Sequence, residues 1–400
     1  MFIAGEPSGD ALAAELVAAL RERVLEMTSR PTGDVQPRRT ALSPVFFGAG
    51  GRRMAEAGVD LVVDMTRYSV IGVSDVLRRL GTFGQLFRQL LQVARQRQPD
   101  VIVGVDYGAF NLRFARAVRR YARRYHDWFH PWHPKLVQYV SPQVWASRPG
   151  RARLLEQTHD LVLCLFPFEQ EWYAARAPRL HVVCVGHPLA DRLAGSTGET
   201  GVRACQQQAA RPPCVVVLPG SRADEVRRHG PVLLGAFSAM QRARPELRGT
   251  AVLPNADLAR AVSRAGVPPG LEVAVGDAFG ALAGADVALA KSGTVTLECA
   301  LRGVPTVVVY RTAWPTYWLA KGMVQVRHLA MPNLLAGEEV FPEFVQAAAT
   351  ASNVARAGLE LLQNQERREV IRGTLARVAA ALGPPGASQR AAEAIVGLLD

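Results

Sequence analysis

Three short stretches combine acids, bases and small residues in patterns suited to chemistry at a sugar or phosphate centre. The first is Asp106, which ends the apolar run Val101–Val105 and precedes Tyr107-Gly108-Ala109-Phe110-Asn111 and an arginine-rich helical pattern. A carboxylate at the carboxyl end of a strand can take a proton from an attacking hydroxyl. It can equally cap the next helix or pair with a nearby arginine. The second stretch is Pro219-Gly220-Ser221-Arg222, which follows Cys214–Leu218 and leads to Glu225 at a helix start. Glycine admits close backbone approach, a helix start presents free N–H groups, and a guanidinium forks onto phosphate oxygens. An ordinary strand-to-helix turn with an exposed arginine fits the same residues. The third is Lys291-Ser292-Gly293-Thr294 after Asp286–Ala290, with Glu298 one helical turn further on. Such a turn can hold a pyrophosphate, and Glu298 can accept hydrogen bonds from a ribose diol. The other reading makes Ser292 and Thr294 caps and leaves Glu298 on a solvated face.

Neither GxxxxGK[ST] nor GxGxxG occurs, and there is no Asp-x-Asp pair, no HExxH and no cysteine–histidine cage. No metal and no cofactor is therefore expected. His126, His130 and His133 lie in RRYHDWFHPWHP, which reads as a charged surface insertion.

These stretches need strands and helices to position them. Short β-branched runs alternate with helical patterns along the chain. Strands are expected at Pro44–Phe47, Val101–Val105, Leu136–Val140, Leu161–Leu165 and Val182–Val185, then at Cys214–Leu218, Thr250–Leu253, Leu271–Val275, Asp286–Ala290 and Thr306–Tyr310. The first helix shows Leu12, Leu16, Leu20 and Val24 on one face. Continuous apolar strands between helices imply parallel sheets covered on both faces, an α/β fold. Order lapses from Asp191 to Pro213 in a Gly/Ser/Thr-rich stretch ending Arg-Pro-Pro, so the expected domains are 1–195 and 196–400. The final stretch, about Ala348 to Asp400, is helical, broken near Gly383-Pro384-Pro385-Gly386, and open to crossing back to the first domain. Two doubly wound domains would bind ligands between their strand carboxyl ends. Only Met1-Phe2-Ile3 precedes the first loop, where a strand of about five residues is normal. Upstream residues are therefore expected in the native protein.

Composition narrows the class. Four hundred residues, 49% of them hydrophobic, suit two buried cores. No uncharged apolar run reaches a membrane span, and no signal-peptide pattern opens the chain. The five cysteines, Cys164, Cys184, Cys205, Cys214 and Cys299, lack CxxC spacing and read as reduced thiols in a cytoplasmic protein. A net charge of +12 suits an anionic partner or an arginine-rich proteome alike. Val76 to Gln98 carries Arg78, Arg79, Arg88, Arg95 and Arg97, no acidic residue, and apolar neighbours at helical spacing. It suits an anionic membrane surface or a helix packed on its own sheet, with Gly81 and Gly84 dividing it into two shorter helices.

Several segments together resemble the lipid-A-disaccharide synthases. They are AGEPSGD (Ala4–Asp10), GVDYGAFN (Gly104–Asn111), YVSPQVWA (Tyr139–Ala146), FPFE (Phe166–Glu169), VGHPLAD (Val185–Asp191), LPGSRADEV (Leu218–Val226), SGTVTLE (Ser292–Glu298), VVYR (Val308–Arg311) and MPNLLAG (Met331–Gly337). The resemblance implies a GT-B glycosyltransferase, two Rossmann-like domains facing across a cleft, with UDP on the second domain and the acceptor on the first. It implies UDP-2,3-diacylglucosamine as donor and 2,3-diacylglucosamine 1-phosphate as acceptor. UDP is released and a β-1,6 link forms with inversion. Asp106 would be the base and Arg222 the group that neutralises the leaving diphosphate. Gly220, Ser221, Ser292, Gly293, Thr294 and Glu298 would hold diphosphate and ribose, joined by Tyr310, Arg311 and Asn333 from the later motifs. Gly5, Ser8, Gly9, Asp10, Asn111, Ser141, Pro142 and Trp145 would line the acceptor side. Acylated substrates imply peripheral association with the inner face of the inner membrane; nucleic acid is not an expected partner, and self-association is left open.

The chain departs from the family's GxDAPDFN at Ala109, where a second aspartate usually stands, and from SPxVWAW at Ser147. Stretches 28–44 and 119–134 look inserted. The rival readings are another GT-B transferase, a sugar-nucleotide epimerase of the same fold, or a paralogue that binds nucleotide sugar without turnover.

Overall fold

In a computed structural model of the chain, residues 1–29, 44–66, 80–125, 131–195, 211–322 and 324–399 are described. Strand and helix alternate from the start. The first series is β1 (Phe2–Ala4), α1 (Pro7–Ser29), β2 (Phe47–Gly50), α2 (Arg52–Glu56), β3 (Asp60–Asp64), α3 (Leu80–Arg97), β4 (Val101–Val105), α4 (Gly108–Arg124), β5 (Lys135–Tyr139), α5 (Val144–Ser147), α6 (Arg151–Thr158), β6 (Leu161–Cys164), α7 (Pro167–Ala174), β7 (Val182–Cys184) and α8 (Leu189–Gly195). The second is β8 (Cys214–Leu218), α9 (Ala223–Ala243), β9 (Arg248–Leu253), α10 (Ala256–Arg264), β10 (Leu271–Val275), α11 (Ala278–Leu282), β11 (Val287–Lys291), α12 (Val295–Leu301), β12 (Thr306–Tyr310), α13 (Trp314–Lys321), α14 (Met331–Ala336), β13 (Glu343–Val345), α15 (Ala351–Gln363) and α16 (Gln365–Ala381), before a last helix, α17 (Ala387–Val396). No helix among the described residues is long and apolar enough to cross a membrane.

The strands form two all-parallel sheets, ordered β3-β2-β1-β4-β5-β6-β7 and β10-β9-β8-β11-β12-β13. Each is doubly wound, with the order reversing beside its first strand, as the alternating apolar runs predict. The chain divides into one compact unit of Met1–Asp191 with Leu382–Asp400 and another of Arg192–Ala381.

In the first unit β4 and β5 are almost wholly buried, because helices cover both faces. Proline at the first position of α1 has no N–H to leave unpaired. The helix then buries Leu16, Val17 and Leu20 on the sheet; each such side chain contributes about 1.5–3 kcal/mol. The C-terminal helix packs on α1, and Arg390 Nε donates to Val185 O at 2.9 Å. In the second unit Val215–Leu218, Val287–Ala290 and Val307–Val309 are buried against Phe237, Met240, Leu361 and Leu375.

Two expectations change. Leu80–Arg97 is one helix, running through Gly81 and Gly84, whose Cα atoms face open space. Its apolar side from Leu86 onward lies on the sheet, with Leu86, Leu90 and Ala94 buried. Phe87 meets the rings of Phe110 and Phe114 edge-on at 5.6 and 5.7 Å. The described part of Val76–Gln98 is thus a packed helix, and 76–79 lie outside the described residues, as do 30–43 and 126–130 of the two inserted stretches, His126 and His130 among them. The second change is at β2, which takes Phe47–Gly50 instead of Pro44–Phe47.

Candidate active site

The sheet order places the expected chemistry at the two points where strand order reverses, where open α/β sheets leave room for ligands. In the first unit these are the loops after β1, β4 and β5. Asp106 and Tyr107 both adopt left-handed backbone, with φ of 51° and 39°, which costs a non-glycine residue about 1–2 kcal/mol. Hydrogen bonds hold the turn in place. Asp106 N–H donates to Tyr139 O at 2.9 Å. Its carbonyl accepts from Asn111 Nδ2 at 2.8 Å and Gln138 Nε2 at 2.9 Å. Both amides are buried. They hold the Asp106 backbone at the strand edge while its side chain remains half-exposed. Gly5 is required here, because a Cβ would lie 2.5 Å from the Tyr107 ring. Burial, with Glu6 second, pushes the Tyr107 hydroxyl pKa up.

The neighbouring residues divide into those that face outward and those that support. Ser8 is exposed beside the buried Gly5 and Gly9. Asp10 is buried and accepts from the N–H groups of Gly51, Arg53 and Met54 at 2.7, 3.0 and 3.2 Å, so its carboxylate caps α2. Asn111 is likewise committed to the Asp106 backbone. Pro142 lies against Gly108, where a Cβ would meet its ring at 3.0 Å. Ser141 is buried with its Oγ 3.1 Å from Tyr173 Oη, and Trp145 Nε1 donates to Glu169 Oε1 at 3.0 Å. Glu169 also accepts from Leu165 and Phe166 N–H at 3.2 Å each. Burial pushes its pKa up against those hydrogen bonds and that of Ser141. Glu169 thus anchors the SPQVW loop, a role foreshadowed only by its place three residues after the helix cap Phe166. Ala109 is exposed in the first turn of α4, which carries no acidic residue.

In the second unit the loops after β8 and β11 are adjacent because those strands pair directly. Gly220 has φ of 129°, and a Cβ there would lie 2.6 Å from Glu225 Cβ. Arg222 is half-buried at the N-cap of α9. Lys291 Nζ sits 2.9 Å from Glu225 Oε1, and Glu225 Oε2 accepts from Ser221 N–H at 3.0 Å. Burial alone would raise the Glu225 pKa, but Lys291 and the Ser221 N–H outweigh it and hold it below the usual carboxylate range. Glu225 therefore takes one of the N–H groups expected to face an anion, and gives the loop rigidity in exchange.

Ser292 is buried, its hydroxyl donating to Leu329 O at 3.1 Å, whereas Thr294 is exposed and Gly293 partly so. Glu298 has Arg192 Nη1 3.9 Å away; burial pushes its pKa up, and Arg192 offsets this in part. Tyr310 ends β12, and the N–H of the exposed Arg311 donates to His229 Nε2 at 2.9 Å. His229 Nδ1 is 2.8 Å from Glu225 O, so the ring is a neutral imidazole, donor at Nδ1 and acceptor at Nε2. Burial lowers its pKa accordingly. No motif pointed to His229; it is the second of a pair, Arg228-His229, that reads as helix surface. Asn333 is fully buried, its side chain bonding the backbone of Val340 and Phe341 at 2.8–3.0 Å and Glu343 at 2.8 Å.

In the first unit, then, the edge after β4 carries the Asp106 carboxylate, and in the second the edge after β8 carries a glycine-flanked turn with Arg222.

Comparison with known proteins identifies the lineage. The family model described as lipid-A-disaccharide synthetase matches residues 1–394. The lipid-A-disaccharide synthase of Myxococcus xanthus is 35% identical, over 100% of this chain and 97% of that protein. Among solved structures, a putative UDP-N-acetylglucosamine 2-epimerase from Listeria monocytogenes matches with a TM-score of 0.55 and 13% identity, covering 100% of this chain and 94% of that one. CalG4, the calicheamicin glycosyltransferase, matches at 0.56 and 16%, covering 97% and 94%. The shared GT-B fold accommodates transferases and epimerases equally, so the sequence match decides between them: the chain belongs to the lipid-A-disaccharide synthase family of glycosyltransferases.

Proposed function

We propose that the chain joins UDP-2,3-diacylglucosamine to 2,3-diacylglucosamine 1-phosphate. The acceptor 6-hydroxyl oxygen bonds to the donor's anomeric carbon as the bond from that carbon to the diphosphate breaks. Asp106 takes the hydroxyl proton, and UDP leaves with the electron pair. Inversion in one displacement needs a single base and no covalent intermediate. The observation that carries this assignment is the Asp106 turn: two buried amides and a β5 carbonyl fix its left-handed backbone at the strand edge, which supports a carboxylate held there for the reaction. Arg222 takes up charge on the departing diphosphate. Gly220, Ser221, Gly293, Thr294, Tyr310 and Arg311 contact the donor, with Glu298 on the ribose. Ser8, Pro142 and Trp145 contact the acceptor beside Gly5 and Gly9. Asp10, Asn111, Ser141, Ser292 and Asn333 serve this site from beneath, through the backbone they hold. Because both substrates carry acyl chains, the protein works peripherally at the cytoplasmic face of the inner membrane.

The test is incubation of the full chain with both substrates, without added metal, and mass spectrometry of the product. Disaccharide 1-phosphate from the wild type, with turnover at least about 10²-fold lower for Asp106→Ala, supports the reading. Disaccharide at equal rates from both proteins would remove Asp106 as the base, and UDP binding without any disaccharide would overturn the transfer itself.

A further inference from the structure

We propose that α13 is a surface by which the second unit docks on a bilayer bearing anionic headgroups. Trp314 and Trp318 are 53% and 63% exposed, and Val324 just beyond the helix is 38% exposed. Tyr317 joins them in one aromatic set, its ring 5.9 Å edge-on from each tryptophan. Exposed large apolar side chains gathered on one short helix mark a contact surface. The charges identify its occupant. Lys321 and Arg327 are exposed in the helix and the segment after it, Lys321 Nζ lies 5.4 Å over the Trp318 ring, and no aspartate or glutamate occurs between Arg311 and Gly337. Tryptophan and tyrosine settle at the headgroup level, where the ring is apolar and its N–H or O–H stays wet. Flanking cations add attraction to anionic lipid. An acyl chain of a bound substrate would instead need an enclosed apolar channel, and rings more than half open do not form one.

The helix also has a firm base. The segment before it is clamped on two sides, by His229 on Arg311 N–H and by the Gln346 side chain on Thr312, whose N–H and carbonyl it meets at 2.6 and 3.1 Å. A bilayer contact at Trp314 and Trp318 therefore fixes the height of the end of β12, where Tyr310 and Arg311 stand. The contrast with α3 supports the choice, since that basic helix has its apolar face from Leu86 onward buried on its own sheet. The docking surface rests on the lipid-linked substrates of the proposed function for its purpose alone; vesicle binding can be read without them.

The experiment is co-sedimentation of the substrate-free full chain with phosphatidylglycerol/phosphatidylethanolamine vesicles, beside pure phosphatidylcholine vesicles. The wild type is expected to partition onto the anionic vesicles. The double variant Trp314→Ser/Trp318→Ser should lose on the order of tenfold or more in partition coefficient. Lys321→Glu should lose severalfold. Transfer between detergent-solubilised substrates should continue in both variants, which separates failure of docking from failure of the transferase reading. Wild-type vesicle binding by both variants would overturn the proposal. So would loss of detergent activity with vesicle binding intact, because the rings would then serve substrate. If the serine pair lowers the melting midpoint, the change at the exposed Lys321 replaces it: weaker vesicle binding by Lys321→Glu upholds the docking surface, and unchanged binding overturns it.

Discussion

The two reversal points use opposite means to hold a loop at a sheet edge. After β4 the supports are neutral: Asn111 and Gln138 grip the carbonyl of a residue in left-handed backbone, and the group presented is a carboxylate. After β8 and β11 the supports are charged: Lys291 pairs with Glu225, which also holds Ser221, and the group presented is a guanidinium. Neutral amides fix a turn without adding a charge of their own, whereas the ion pair brings a second cation, Lys291, to an edge that already carries Arg222. The difference teaches that a loop can be fixed at a sheet edge with or without charge, and that the choice alters the field around the group presented.

This contrast can be broken at either edge. The largest effect is expected from Arg222→Ala, which should lower kcat by about 10²-fold or more while leaving the fold intact; steady-state rates with a melting curve check it, and an unchanged kcat would deny Arg222 its role at the diphosphate. Next, Asn111→Ala removes one of the two clamps on Asp106 and should cost about 1–3 kcal/mol of stability. It should lower kcat more than KM, since the base loses its fixed place. Urea unfolding beside kinetics reads both, and full activity would show that Gln138 suffices. The smallest effect concerns Glu298, whose pKa is raised in the free protein by burial. If the ionised form accepts the ribose hydrogen bonds, UDP binding lowers that pKa. Affinity should then be full above it and fall severalfold as pH drops through it. Calorimetric titration of UDP against pH should show the fall in the wild type and a flat profile in Glu298→Gln; equal profiles would place the ribose elsewhere.

Much of this was legible in the chain. Val101–Val105, Cys214–Leu218 and Thr306–Tyr310 are strands with the expected ends, because a run of apolar residues buried on both faces has one stable form between helices; the edge strand Leu271–Val275 also keeps its expected ends, although only Leu271 in it is buried. The edge strands Asp60–Asp64 and Glu343–Val345 lack that signal, being short, half-buried and carrying acids. At β2 the bulky residues point to Pro44–Phe47, but pairing falls on Phe47–Gly50. A Cβ at Gly48 would lie 1.9 Å from Phe2 O, so only the small residues allow β1 so close. Asp10, Asn111 and Asn333 stand out in their motifs as residues that would face a ligand. Each satisfies buried backbone groups, a need that motifs record as faithfully as they record binding.

What the sequence determined by itself was the alternation of parallel strand and helix and the family, since these follow from local periodicity and from residue types in order. Only the tertiary structure decided which polar side chains face outward and which hold the turn beneath. That depends on backbone N–H and carbonyl groups distant in the chain, such as Asp106 with Gln138 and His229 with Arg311, whose pairing arises when the sheet brings them within hydrogen-bonding distance.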